Sequence, residues 1–242
     1  MAPDSSSGTG QRTRRVIAAV LAGALILVAA FAAGRISAPQ TGTPGNTSVE
    51  AGFARDMQTH HEQAVEMAMM VRDLTDDANV RTLAYDIATS QSNQSGQLYG
   101  WLTEWNLPQA SPEPSMTWMS APTLAGASGH NMDMGGGSDG SGTGTGASAT
   151  STPAASHTPG GTMPGLATPA QMKKLATLKG VAAERMFLTL MIAHHKGAIE
   201  MADAVLERST NTAVTKFARG VVNSQESEIG LMEDLLAKRG GA

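Results

Sequence analysis

Phe53-Ala-Arg-Asp-Met57-Gln-Thr-His60-His61-Glu-Gln-Ala64-Val65-Glu66-Met67-Ala68 returns, 134 residues later and without a gap, as Phe187-Leu-Thr-Leu-Met191-Ile-Ala-His194-His195-Lys-Gly-Ala198-Ile199-Glu200-Met201-Ala202. The same offset carries Ser90-Gln91 onto Ser224-Gln225, Gly96 onto Gly230, and Trp101-Leu102 onto Leu235-Leu236. An ungapped match of this length marks an internal duplication. Wound at about 100° per residue, the first copy places Phe53, Ala64, Ala68 and Val71 within roughly 40° of Met57. His60 and His61 then flank that apolar stripe on either side, Met67 lies on the His60 edge, and Glu66 projects to the opposite face; Glu200 does so in the second copy.

Working outward, each copy opens a helical hairpin. Thr47 and Glu50 form a capping box for the first motif helix, which is expected to run to about Arg72. A turn over Asp73–Asp77 follows, with Asp76 or Asp77 capping a second helix that ends at Asn106-Leu107-Pro108. In the second half, Thr168-Pro169 caps a short helix over Pro169–Lys179 that Gly180 ends. The second motif helix is expected over Val181–Arg208, and a final helix runs to Lys238. No strand pattern appears. Two hairpins packed face to face predict an all-α fold, a four-helix bundle with a pseudo-two-fold axis.

The resulting division is a polar n-region at 1–15, an apolar segment at 16–34, a spacer at 35–46, the first hairpin at 47–107, a linker at 108–161 and the second hairpin at 162–240. Arg12, Arg14 and Arg15 precede the uncharged run Val16–Gly34, the pattern of an export signal. The run is just long enough to span a bilayer, and its basic flank places the N-terminus inside. The reading is a single-pass anchor with an extracytoplasmic domain, or a secreted or periplasmic protein if a signal is cleaved near Ala30-Phe31-Ala32. The linker is so rich in Gly, Ser, Thr and Pro that it is expected to be disordered and coreless.

Composition removes several classes. There is no cysteine, so disulfides and zinc–thiolate sites are excluded, and a net charge of -4 offers no basic surface for nucleic acid. No nucleophile–His motif and no phosphate-binding glycine loop is present, so no enzyme class is indicated. What remains is a donor set. Imidazole and thioether are the ligands that suit copper, as Cu(I) or Cu(II), with zinc behind. The candidate ligands are Met57, His60, His61 and Met67, with Met191, His194, His195 and Met201 as their twin, merging into one site if the motif helices touch. His130, Met132 and Met134 in the linker are accessory donors. Against this stands the plain alternative that methionine at helical spacing is core filler.

The pattern Met-x-x-His-His-x-x-Ala-x-x-Met-Ala, with Gln225-x-x-Glu228-Ile229-x-x-Met232 downstream, resembles domain-of-unknown-function family 305. That resemblance implies a ferritin-like fold and a periplasmic role in copper binding and tolerance. The first copy departs from it, with Gln94-Ser95 where the second has Glu228-Ile229. A ferritin-like fold raises a rival, a di-iron oxidase or iron store. Such sites need carboxylates and Glu-x-x-His pairs, and Met stands three residues before His60 and His194 instead. A third reading is a membrane-tethered interaction module without metal. A homodimer is a further route to the same donor sets.

Overall fold

The computed structural model describes residues 26–27, 42–128 and 158–241. The chain divides into Met1–Gly42 and Thr43–Ala242. Of the first unit, Ile26 and Leu27 are helical and exposed. The rest of the apolar run 16–34 lies outside the described residues, as do His130, Met132 and Met134. Among the described residues no helix is long and apolar enough to cross a membrane.

The second unit is helical, with no strand among the described residues. Its elements are α1 (Val49–Arg72), α2 (Ala78–Glu104), a 3-10 turn (Thr117–Ser120), α3 (Leu124–Ser128), α4 (Pro169–Ala176), α5 (Gly180–Leu206) and α6 (Thr212–Ala237). The caps explain the boundaries. Ser48, not Thr47, caps α1 by accepting from Ala51 N at 3.2 Å. Asp77 caps α2 and Asn211 caps α6, each accepting from the first turn. Thr168 and Gln171 form a reciprocal capping box on α4. Gly180 opens α5 instead of closing α4: at φ +54° its N–H reaches back to Leu74 O at 2.7 Å.

Helix α1 pairs with α2 and α5 with α6, and the hairpins meet along α1 and α5. Those two run antiparallel, because α5 starts at the end of α1 through Gly180 and Leu74. The duplication is visible in the bonds. Ser209 donates to Glu50 Oε1 at 2.5 Å, and its counterpart Thr75 donates to Glu184 Oε1 at 2.5 Å. Each hairpin turn is thus fastened to the other hairpin's motif helix. At the Glu184 end Arg239 adds a buried cation, paired with Glu184 and with Asp77 at 2.9 Å.

The core falls into two clusters. One holds Met67, Val80, Leu83, Ile87, Phe187, Leu188, Met191, Met232 and Leu235. The other holds Phe53, Met57, Leu98, Leu102, Trp118, Met201, Val214, Ala218 and Val221. The linker expectation needs correction at its first end: Met116, Trp118 and Met119 are buried, carried by the 3-10 turn and its N-cap. Composition hid this, because three large side chains among many small ones still supply an anchor. Asp56 holds it, accepting from Met116 N at 2.7 Å and Trp118 Nε1 at 2.8 Å. Gly52 leaves the room Trp118 needs, since a Cβ there would stand 2.7 Å from it. Asp56→Ala removes the one oxygen, Oδ2, that accepts both bonds, so a loss of about 2–3 kcal/mol is expected by denaturant titration, with red-shifted tryptophan emission.

Candidate metal centre

Both histidine pairs occupy the middle of an otherwise apolar seam. On α1 the seam carries Phe53, Ala54, Met57, His60, His61, Ala64, Met67, Ala68 and Val71, and on α5 Phe187, Leu188, Met191, His194, His195, Ala198, Met201, Ala202 and Val205; the buried charges Arg55, Asp56 and Glu184 lie toward the helix starts. All four imidazoles are fully buried. The antiparallel helices cross at this level, so His60 and His194 lie ring against ring, centroids 3.9 Å apart at 43°. His61 stands 6.5 Å from His60, and His195 stands 6.3 Å from His194. The result is one row, His61–His60–His194–His195, shared by both copies.

Three of the rings have a fixed tautomer. His60 Nε2 lies 2.9 Å from Pro164 O, and His194 Nε2 lies 2.8 Å from His60 O. A carbonyl only accepts, so each Nε2 carries the proton and donates it. His195 Nε2 donates likewise to Glu228 Oε2 at 2.6 Å. Each of these rings therefore keeps its lone pair on Nδ1, and all three Nδ1 atoms are buried without a hydrogen bond. His61 bonds through neither nitrogen, although the Gln94 amide lies close enough to favour its charged form. Burial dominates and holds the rings neutral: His60 is lowered to about 4, His61 to about 3, and His194 well below 6.5.

The strap that meets His60 is tightly located. Gln63 donates to Ala167 O at 2.9 Å and accepts from Ala167 N at 2.7 Å. Gly197, the counterpart of Gln63, admits the strap backbone: a Cβ there would sit 2.0 Å from Pro164 O. An apolar seam does not announce this strap over Pro164–Ala167, and only the glycine at Gly197, inside the helix, signals it.

Around the row, α2 contributes Gln91 and Gln94, and α6 contributes Gln225 and Glu228. These residues sit between the two apolar clusters: Gln91 follows Ile87 and Ala88 and precedes Leu98, while Gln225 follows Val221 and precedes Met232. Gln91 and Gln225 are each about 1 % exposed. Of the described buried side-chain nitrogens and oxygens lacking a hydrogen bond, all but those of Arg72 and Gln109 belong to this layer. The 134-residue offset already paired Gln91 with Gln225. It also paired Gln94 with Glu228, and here the copies differ in chemistry: one outer imidazole faces an amide, the other a carboxylate. The donor region therefore contains an acidic group, Glu228, beside its nitrogen and sulfur donors.

The thioethers are regrouped across the axis. Met57 joins Met201 in one cluster, with Met116, Met119 and Met163; Met67 joins Met191 in the other. Met67 lies seven residues past His60, about 10 Å along the helix, so the four residues expected in each copy do not form one compact set. Among the described residues no three His, Asp or Glu side chains stand together as a finished coordination shell. The chemistry fits a soft ion: neutral nitrogen lone pairs with thioethers on both sides.

A family model described as "Domain of unknown function (DUF305)" matches residues 50–236. A DUF305 protein from Streptomyces coelicolor described as secreted is 46% identical, with a TM-score of 0.62, covering 80% of this chain and 95% of its own. A DUF305 fragment from Deinococcus radiodurans is 28% identical, with a TM-score of 0.56 and coverage of 81% and 99%. CopM in the Cu(I)-bound form shares the fold at 18% identity and a TM-score of 0.51, covering 79% and 96%. No curated protein matches the chain.

Proposed function

This chain belongs to the DUF305 family, and from that premise we propose that it is an extracytoplasmic copper-binding protein that buffers copper. The observation carrying the proposal is the set of three buried imidazoles whose Nε2–H is engaged by a carbonyl or carboxylate while Nδ1 is left free. Metal-binding histidines are oriented in this way: the second nitrogen donates to an oxygen acceptor, which fixes the tautomer and raises the basicity of the first. Nδ1 of His60, His194 and His195 would hold the ion, with His61 as a fourth nitrogen donor and thioethers drawn from Met57 and Met191, each one turn before its histidine; Met67 and Met201, two turns beyond His60 and His194, would stand outside that shell as further soft donors. Capture of CopM, a protein of like fold, in a Cu(I)-bound form supports copper as the cargo. The two hairpins would form a ferritin-like four-helix bundle in one chain, with the row shared between them. The uncharged run 16–34 behind three arginines, read as an export segment, supports a location outside the cytoplasmic membrane, anchored or released. Iron chemistry is disfavoured, because the oxygens that accept from these rings are two backbone carbonyls and Glu228, whereas a di-iron centre draws a carboxylate from every helix.

Ligand binding stabilises the folded chain by mass action, about 2.7 kcal/mol at a hundredfold excess over Kd. Copper should therefore raise the melting temperature of the purified chain by several degrees. His60→Ala with His194→Ala should abolish that rise and lower copper stoichiometry. A melting curve indifferent to Cu(I) and Cu(II) would reject the proposal.

A further inference from the structure

The amides of Gln91 and Gln225 pose a problem that a metal ion alone does not solve. Both side chains are about 1 % exposed, and both their Oε1 and Nε2 atoms lack a partner among the described residues. An unsatisfied buried polar group destabilises the fold, whereas an apolar residue of the same shape costs little. The feature occurs twice, at equivalent positions. Each glutamine lies one turn before the residue of its helix that reaches an outer imidazole, Gln94 toward His61 and Glu228 toward His195. By the pseudo-symmetry one amide sits on each side of the histidine row.

The carboxamide nitrogen is purely a donor, so it requires an acceptor and repels a cation. Imidazole Nδ1 could accept from it, but only by surrendering the lone pair that would hold the ion. A solvent oxygen meets both demands. It accepts from the amide N–H, donates to Oε1, and keeps a lone pair for a metal. Resting on the copper reading above, we infer that Gln91 and Gln225 position a solvent-derived oxygen ligand, water or hydroxide, on each side of the histidine row. The site then completes a Cu(II) shell with solvent as well as nitrogen. Monovalent soft ions, content with few nitrogen and sulfur donors, do not use the amides.

The test is Gln91→Leu and Gln225→Leu, singly and together, in the full chain. Expected results are a melting temperature of the metal-free protein that is unchanged or raised, and a Cu(II) affinity at least tenfold weaker. Ag(I) affinity should be unaltered. Wild-type protein loaded with Cu(II) in oxygen-17 water should show an oxygen-17 hyperfine coupling in electron-nuclear double resonance that is lost in the double variant; the imidazole Nε2–H protons do not contribute to that signal. Absence of the oxygen-17 coupling from the wild type, which needs no variant to fold, or a double variant binding Cu(II) like the wild type, overturns the inference while leaving copper binding intact. A wild-type chain that takes up no copper in either oxidation state overturns the copper reading itself.

Discussion

The metal-free protein is expected to unfold when acidified from about pH 7 to about pH 4. Burial holds His60 at about 4, His61 at about 3 and His194 well below 6.5, whereas each titrates near 6.5 once unfolded. Between those limits the unfolded chain binds more protons than the folded one, so stability falls as pH falls. It is fully present above about 6.5 and, for His60, wholly lost below about 4. The drop from 6.5 to about 4 at His60 is worth roughly 3 kcal/mol. His61 and His194 act in the same direction, against the roughly 5–15 kcal/mol that holds a domain together. Asp56 and Asp203 oppose this, since burial raises their carboxyls and they gain a proton more easily when folded, but Asp203 lies nearer the surface and they are two groups against three. Far-ultraviolet circular dichroism against pH is the measurement. Helicity that persists unchanged to about pH 3 would contradict neutral buried rings.

Arg239→Ala is expected to cost about 3–5 kcal/mol, read by denaturant titration. Glu184 is 4 % exposed and shares its carboxylate between Thr75 and Arg239, which also pairs with Asp77. Removing the guanidinium strands that charge in the interior. Adding Glu184→Gln should recover a large part of the loss, because the neutral amide needs no counter-charge. By contrast Lys196 and Glu233, 3.2 Å apart and each more than half exposed, should be worth under about 1 kcal/mol. Equal effects at the two pairs would show that burial is not what sets the cost.

Much of this architecture is legible in the chain. The repeat, the helical period and the turn residues predict the four long helices to within a few residues, because each boundary is set by a local cap such as Asp77. The histidine row is legible as well, since the repeated seam forces His60 and His194 to the crossing. Thr47 misled because Ser48 beside it is an equally good acceptor, and backbone geometry chose between them. The Asp56–Trp118 latch and the Pro164 strap join residues more than sixty apart, or a backbone carbonyl to a ring. Neither leaves a periodic trace. The grouping of Met57 with Met201 follows from antiparallel crossing, which no single helix reveals.

The shared row also bears on how such a chain could have arisen. Had it begun as one hairpin pairing with its own copy, every position would have been obliged to serve both halves identically. Joining the halves in a single gene lifts that obligation. Position 94 and its counterpart 228 record the freedom: an amide beside one outer ring, an acid beside the other, an inequality that no assembly of identical subunits could encode.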